Sequence, residues 1–218
     1  MLFRSGPGAA AAGSVPTAKP ESAGLSAERL ARIHTAMQAQ IDAGNIAGVV
    51  TLVARRGKLA HLEAQGFADI AKRTPMRTDN IFGLASMSKP ITGAAVMMLV
   101  ESGQIRLSDP VSKFIPEFAQ AAMVAVPRPN GGAGAYDLVS AARPITVGDL
   151  LKHGSGLVSG GLGSRTADTI APRGPGDTLA THIPKLAKVP LDFQPGTLWR
   201  YSGLAGFDVL SRIVEVVS

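Results

Sequence analysis

Ser86 and Lys89 stand three residues apart. On a helix that spacing puts two side chains on one face, close enough to touch. A serine hydroxyl is a poor nucleophile at neutral pH unless a neighbouring group accepts its proton. A lysine held among other groups can share in that transfer. Ser86-x-x-Lys89 occurs once in the chain, but about half a match is expected by chance at this composition, so the spacing needs its context. Set against it is the plain reading of a helix-capping serine followed by a surface lysine.

Two other routes to an activated nucleophile fail on the residues. An α/β-hydrolase elbow needs glycine two positions before and two after the serine. Ser155 has Gly154 and Gly156 at the wrong offsets, and Ser159 has Leu157 two before it. The four histidines are His34, His61, His153 and His182. His34 falls on an expected helix, His61 on an expected strand and His153 in a helix-ending turn, where structural or capping roles fit best. The histidines lie far apart, without His-Glu-x-x-His or a His/Asp cluster at ligand spacing, so no metal site is expected. The chain has no cysteine, which removes thiolate ligands and a thiol nucleophile.

The elements that must position Ser86 and Lys89 follow from periodicity. Ser26 can cap a helix carrying Leu30, Ile33, Met37 and Ile41, stopped by Gly44-Asn45. Ile46 to Arg55 and Lys58 to Gly66 read as antiparallel strands about the Arg56-Gly57 turn. Asn80 to Leu84 is a short apolar run, and Ile91 to Ser102 an apolar helix ended by Gly103. Ser108-Asp109-Pro110 suggests a cap with proline at the first position of a short helix reaching Phe114. Asn130 to Gly134 and Val158 to Gly176 read as loops. Ile145 to Lys152 reads as a helix with Thr146 as its cap, and Gln194-Pro195-Gly196 as a tight turn. Phe207, Leu210, Ile213, Val214 and Val217 form the stripe of a final helix.

Of the 218 residues 45% are hydrophobic and 17% charged, a globular composition. The formal charge of +6 comes from scattered basic residues, and aromatics make up only 5%, so a solvated basic surface fits better than a nucleic-acid interface. No apolar stretch is long enough to span a bilayer. Residues 1–20 read as a flexible leader without the apolar run of a signal peptide, and no compartment follows from them.

The segment Phe82-Gly83-Leu84-Ala85-Ser86-Met87-Ser88-Lys89-Pro90-Ile91-Thr92 resembles the nucleophile segment of the serine β-lactamase and penicillin-binding-protein superfamily. Class C β-lactamases and family VIII carboxylesterases are the most similar branches. Pro20 to Ser26 resembles the lead-in to the first helix, and Gly103 to Val111 the segment after the nucleophile helix. Ile145 to Leu157 resembles a recurrent helix and turn, and Pro195 to Ser202 the second catalytic motif. The resemblance implies Ser86 as the acylated nucleophile, Lys89 as its partner and Tyr201 as the phenol that exchanges a proton with the serine and the leaving group. A phenol with an ordinary pKa of about 10 needs nearby cations for that role.

The resemblance implies a β-lactamase-like α+β fold: an antiparallel sheet flanked by helices, with sheet-side elements over about 21–85, and a mostly helical region over about 86–218. Ser86 would lie between them. The implied activity is acyl transfer on small carboxylic esters, without a cofactor. β-Lactamase, D-aminopeptidase and acyltransferase are rivals within the fold, and a truncated, catalytically silent binding homologue is a rival of another class.

Two departures stand out. Class C enzymes carry Tyr-x-Asn in the second motif, whereas this chain has Gly203 in place of the asparagine. No third motif is found between Tyr201 and Ser218. The expectation is therefore an N-terminal portion whose missing C-terminal strands come from a continuation or a second chain. The final stripe would need cover from that part, and the hairpin would need partner strands.

Overall fold

The computed structural model describes residues 15–120 and 122–218. They fall into two compact units, divided after Gly83.

The first unit is built on one sheet. Helix α1 (Ala27–Asp42) begins where the Ser26 hydroxyl accepts the Arg29 amide at 3.2 Å. Its half-buried stripe of Leu30, Ile33, Met37 and Ile41 is the one the spacing predicts. Strands β1 (Gly48–Arg55) and β2 (Lys58–Asp69) pair antiparallel from Gly48↔Gly66 to Arg55↔Lys58, with a bulge between Val53 and Ala54. A two-residue strand β3 (Thr74–Pro75) adds to the far edge of β2. Gln65 donates to the His34 carbonyl at 3.1 Å, which ties β2 to α1. Side chains alternate across a strand, so the cross-strand partners Leu52 and Leu62 lie on the other face, and both are exposed. The leader expected over residues 1–20 lies mostly outside the described residues. Pro16 and Ala18 pair with Leu59 of β2.

The second unit holds a continuous apolar core. Helix α2 (Ser88–Glu101) starts three residues earlier than the sequence suggests and buries Val96 and Leu99. A hairpin of β4 (Met123–Pro127) and β5 (Tyr136–Ser140) follows, with Leu191 bridging β4 from the other side. Short helices α3 (Val147–Leu151) and α4 (Ala167–Ile170), then α5 (Leu179–Leu186) and α6 (Ala205–Val217), complete it. Ile105, Leu150, Ile183, Leu210 and Ile213 are all within 1% of complete burial in the shared core.

Several expectations need correction here. The final stripe does not await cover: Leu210 and Ile213 are fully buried, and Phe207, Val214 and Val217 pack against the same core. Its partners are the earlier helices α2, α3 and α5. The described residues form two hairpins rather than one, because the Gly-rich Asn130 to Gly134 loop lies in the connection between β4 and β5. Pro110 does not open a helix. It is held extended at ψ 144° by its bridge to Thr146, and only a single 3-10 turn, Val111–Lys113, follows it. The helix around Leu150 starts at Val147 because Thr146 caps it, with Asp149 returning the bond to the Thr146 amide at 2.9 Å. The apolar run from Asn80 to Leu84 forms no strand.

Candidate active site

Ser86 occupies a 3-10 turn, Ala85–Met87, that runs directly into α2. The turn is entered through Ala85 at φ +45°. That is a left-handed conformation costing a non-glycine residue about 1–3 kcal/mol, and such strain gathers at functional positions. Lys89 lies in the first turn of α2, on the same side as Ser86.

Tyr201 reaches this point along a different path. The turn His153–Gly156 after α3 and the segment 192–200 bind each other through their backbones. The Asp192 amide donates to the Gly156 carbonyl at 2.8 Å, the Gly196 amide to Gly154 at 2.8 Å and the Arg200 amide to His153 at 3.1 Å. Gly156 must be glycine here: at φ +76° a Cβ would sit 2.5 Å from the Phe193 carbonyl oxygen. Two carboxylates brace the base of this region. Burial of Asp149 opposes its charge, but a bidentate pair with Arg143 at 2.6 and 2.9 Å and the Thr146 donors hold its pKa below the ordinary value. Asp192 is treated alike, with Ser164 and Ser159 donors overcoming the cost of its burial.

The three side chains singled out from the sequence come together. Ser86 Oγ lies 2.6 Å from Tyr201 Oη, and Lys89 Nζ donates to Ser86 Oγ at 3.2 Å. Lys89 Nζ also donates to the Gly203 carbonyl at 2.5 Å and sits 5.0 Å from the centre of the Tyr201 ring. The Lys89 ammonium, first, and the Ser86 hydroxyl hold the Tyr201 phenol below the usual tyrosine range. An open cleft of about 230 Å³ runs beside Lys89, walled by Thr92, Gly203 and Phe207. A larger hollow of about 510 Å³ beside the Arg143–Asp149 pair holds none of the three.

The histidines divide. His34 pairs with Glu63 at 2.6 Å and His61 with Thr51 at 2.8 Å, both in the sheet unit. His182 is buried in α5. His153 ends the α3 turn in a left-handed conformation, as a cap would, but it also touches the site: its ring centre lies 4.7 Å from that of Tyr201. The sequence offered no sign of that contact beyond the nearness of a Gly-Ser-Gly turn. No group of three or more His, Asp or Glu among the described residues is placed to hold a metal ion. No helix among them is long and apolar enough to cross a membrane.

The Beta-lactamase family profile matches residues 33–218, and the chain belongs to that family. It is 35% identical over 213 residues to Esterase EstB of Burkholderia gladioli, covering 90% of this chain and 47% of EstB. It is 33% identical over 190 residues to a lovastatin esterase of Penicillium rubens, covering 85% and 46%. Among solved structures it is similar to EstCE1, described as a hydrolase with promiscuous acyltransferase activity, with a TM-score of 0.70, 31% identity and coverage of 86% and 46%. The fold is β-lactamase-like, as the sequence motifs imply. The chain spans about half the length of the curated relatives it matches.

Proposed function

We propose that this chain carries the acylating centre of a serine hydrolase acting on small carboxylic esters, with Ser86 as nucleophile and Lys89 and Tyr201 as its proton-transfer partners. The observation that carries this reading is the 2.6 Å contact between Ser86 Oγ and Tyr201 Oη, with Lys89 Nζ 3.2 Å from the same oxygen. Tyr201, ionised, takes the Ser86 proton as Oγ bonds to the ester carbonyl carbon. The carbonyl electron pair moves onto oxygen, then returns as the bond to the alcohol breaks. Tyr201 gives its proton to the departing alkoxide, and water repeats the sequence to free the acid. The Lys89 ammonium holds the phenolate form by its charge and is itself held by the Gly203 carbonyl. The positive end of α2 lies behind Ser86 and favours the negative charge that develops on the carbonyl oxygen.

Gly203 favours esters over β-lactams, since no side-chain amide stands where the class C pattern has asparagine. The names of EstB and the lovastatin esterase support the same preference. The test is a fluorophosphonate probe followed by peptide mapping, with rates on p-nitrophenyl butyrate, nitrocefin and a D-amino-acid amide. Labelling at Ser86 with the ester turned over fastest is expected. Faster turnover of nitrocefin or the amide would move the substrate to a rival class, and absence of label would leave a binding homologue.

A further inference from the structure

His153 grips the segment carrying Tyr201 from three directions. Its carbonyl accepts the Arg200 amide at 3.1 Å, one residue before the tyrosine. Its Nδ1 accepts the Ser202 amide at 3.2 Å, one residue after it. Its ring packs against Tyr201 with centres 4.7 Å apart and against Phe207 at 5.4 Å. A backbone amide can only donate, so Nδ1 must be unprotonated for the Ser202 bond to exist. The Ser202 hydroxyl in turn accepts the Gly206 amide at 3.2 Å, which ties the same segment to the first turn of α6.

We propose that His153 is the positioning residue for Tyr201, and that it holds the phenol on Ser86 only as the neutral imidazole. The inference rests on the proton-transfer role proposed for Tyr201. Protonation would set an Nδ1–H against the Ser202 N–H, and the bond that fixes the backbone beside Tyr201 would be replaced by repulsion. The groups facing the ring are Lys89 from α2, Tyr201 itself, and the uncharged rings of Trp199 and of Phe207 from α6. Partial burial, first, and the Lys89 charge lower the His153 pKa below its ordinary value, so the ring is neutral at neutral pH. Acid reverses that state: as pH falls through the lowered pKa, Tyr201 loses its anchor.

The test uses the full-length protein on p-nitrophenyl butyrate from about pH 5 to 9. His153→Leu keeps bulk and removes the acceptor. It should lower kcat about 10- to 100-fold with little change in KM, as expected when an aligned group is misplaced. His153→Asn puts Oδ1 where Nδ1 was, tolerates the left-handed backbone and does not titrate. It should recover most of that loss. In the wild type the acid limb should steepen from a slope of about one to about two as the pH falls through the lowered His153 pKa, because two groups must then be deprotonated. The Asn variant should keep a slope of about one throughout. If the Leu variant fails to fold, the Asn profile still decides. A steep limb retained in the Asn variant, an Asn variant as slow as the Leu variant, or a Leu variant with full kcat would each overturn the inference alone. Wild-type turnover without fluorophosphonate labelling at Ser86 would overturn the site reading, and this inference with it.

Discussion

The sheet unit and the helical unit are stabilised in different ways. In the helical unit one apolar core runs through α2, α3, α5 and α6, with Val96, Val147, Ile183, Val209, Leu210 and Ile213 completely buried. Among the described residues of the sheet unit, Ala23 is the one apolar residue to reach full burial, while Leu52 remains 60% exposed. Ser86, Lys89 and Tyr201 all belong to the helical unit. The side chains that must meet within hydrogen-bond distance therefore stand on elements pinned by a common core. Ser86 and Lys89 lie at the open end of α2, whose other end buries Val96 and Leu99, and Tyr201 stands four residues before Ala205, where α6 starts. A packed scaffold fixes such a constellation far better than a loop on a thin sheet would.

The largest expected effect tests whether the chemistry belongs to that unit. Ser86→Ala should lower ester turnover by at least about 10⁴-fold, as loss of a nucleophile does in other serine hydrolases. Ser88→Ala, two residues on, should change it less than about threefold, since Ser88 has neither a lysine at i+3 nor a tyrosine in contact. Steady-state rates on p-nitrophenyl butyrate measure both. Substantial turnover in the Ser86→Ala protein would detach activity from the packed unit altogether.

The next effect is on stability. Leu210→Ala removes a completely buried side chain from the centre of α6 and should cost about 2–5 kcal/mol in chemical denaturation. A loss below about 1 kcal/mol would mean that the core of the helical unit relaxes into the cavity and is not the rigid support described here.

Much of this difference was legible in the sequence, and the exceptions have physical causes. The Ser26 cap, the Arg56-Gly57 hairpin, the apolar helix after Ser86 and the Thr146 cap are local signals, carried within a few residues of one another. The Ser86-x-x-Lys89 pair is local too, but Tyr201 lies 115 residues away from Ser86, and only the family resemblance linked the two. The β4–β5 hairpin was hidden because Asn130 to Gly134 reads as plain loop, although it lies in the connection between paired strands, the first of which ends on Pro127. Helix α5 was hidden by Pro184 inside it, and its capping box closes with Thr181 rather than the usual acidic residue or glutamine. His153 looked like a helix-ending residue, which it is. Its second role depends on a bond from Nδ1 to an amide 49 residues on, and no spacing rule reaches that far.

The smallest expected effect falls on the sheet unit and bears on the comparison itself. Leu52 pairs with Leu62 on the face of β1 and β2 turned away from α1, and both leucines are exposed among the described residues. A leucine that water already reaches gains little from the fold, so Leu52→Ser should alter stability by no more than about 0.5 kcal/mol. Loss of the cross-strand contact with Leu62 falls at the low end of what such pairs contribute, roughly 0.2–1 kcal/mol, because both leucines are exposed. The measurement should be made on the full-length protein by the same denaturant titration as Leu210→Ala, so that the two costs stand on one scale. A small value would keep the contrast between a cored unit and a thin sheet. A cost near that of Leu210→Ala would show that another part of the working protein covers this face. The sheet would then be as deeply packed as the helices, and the contrast would belong to the described residues taken alone.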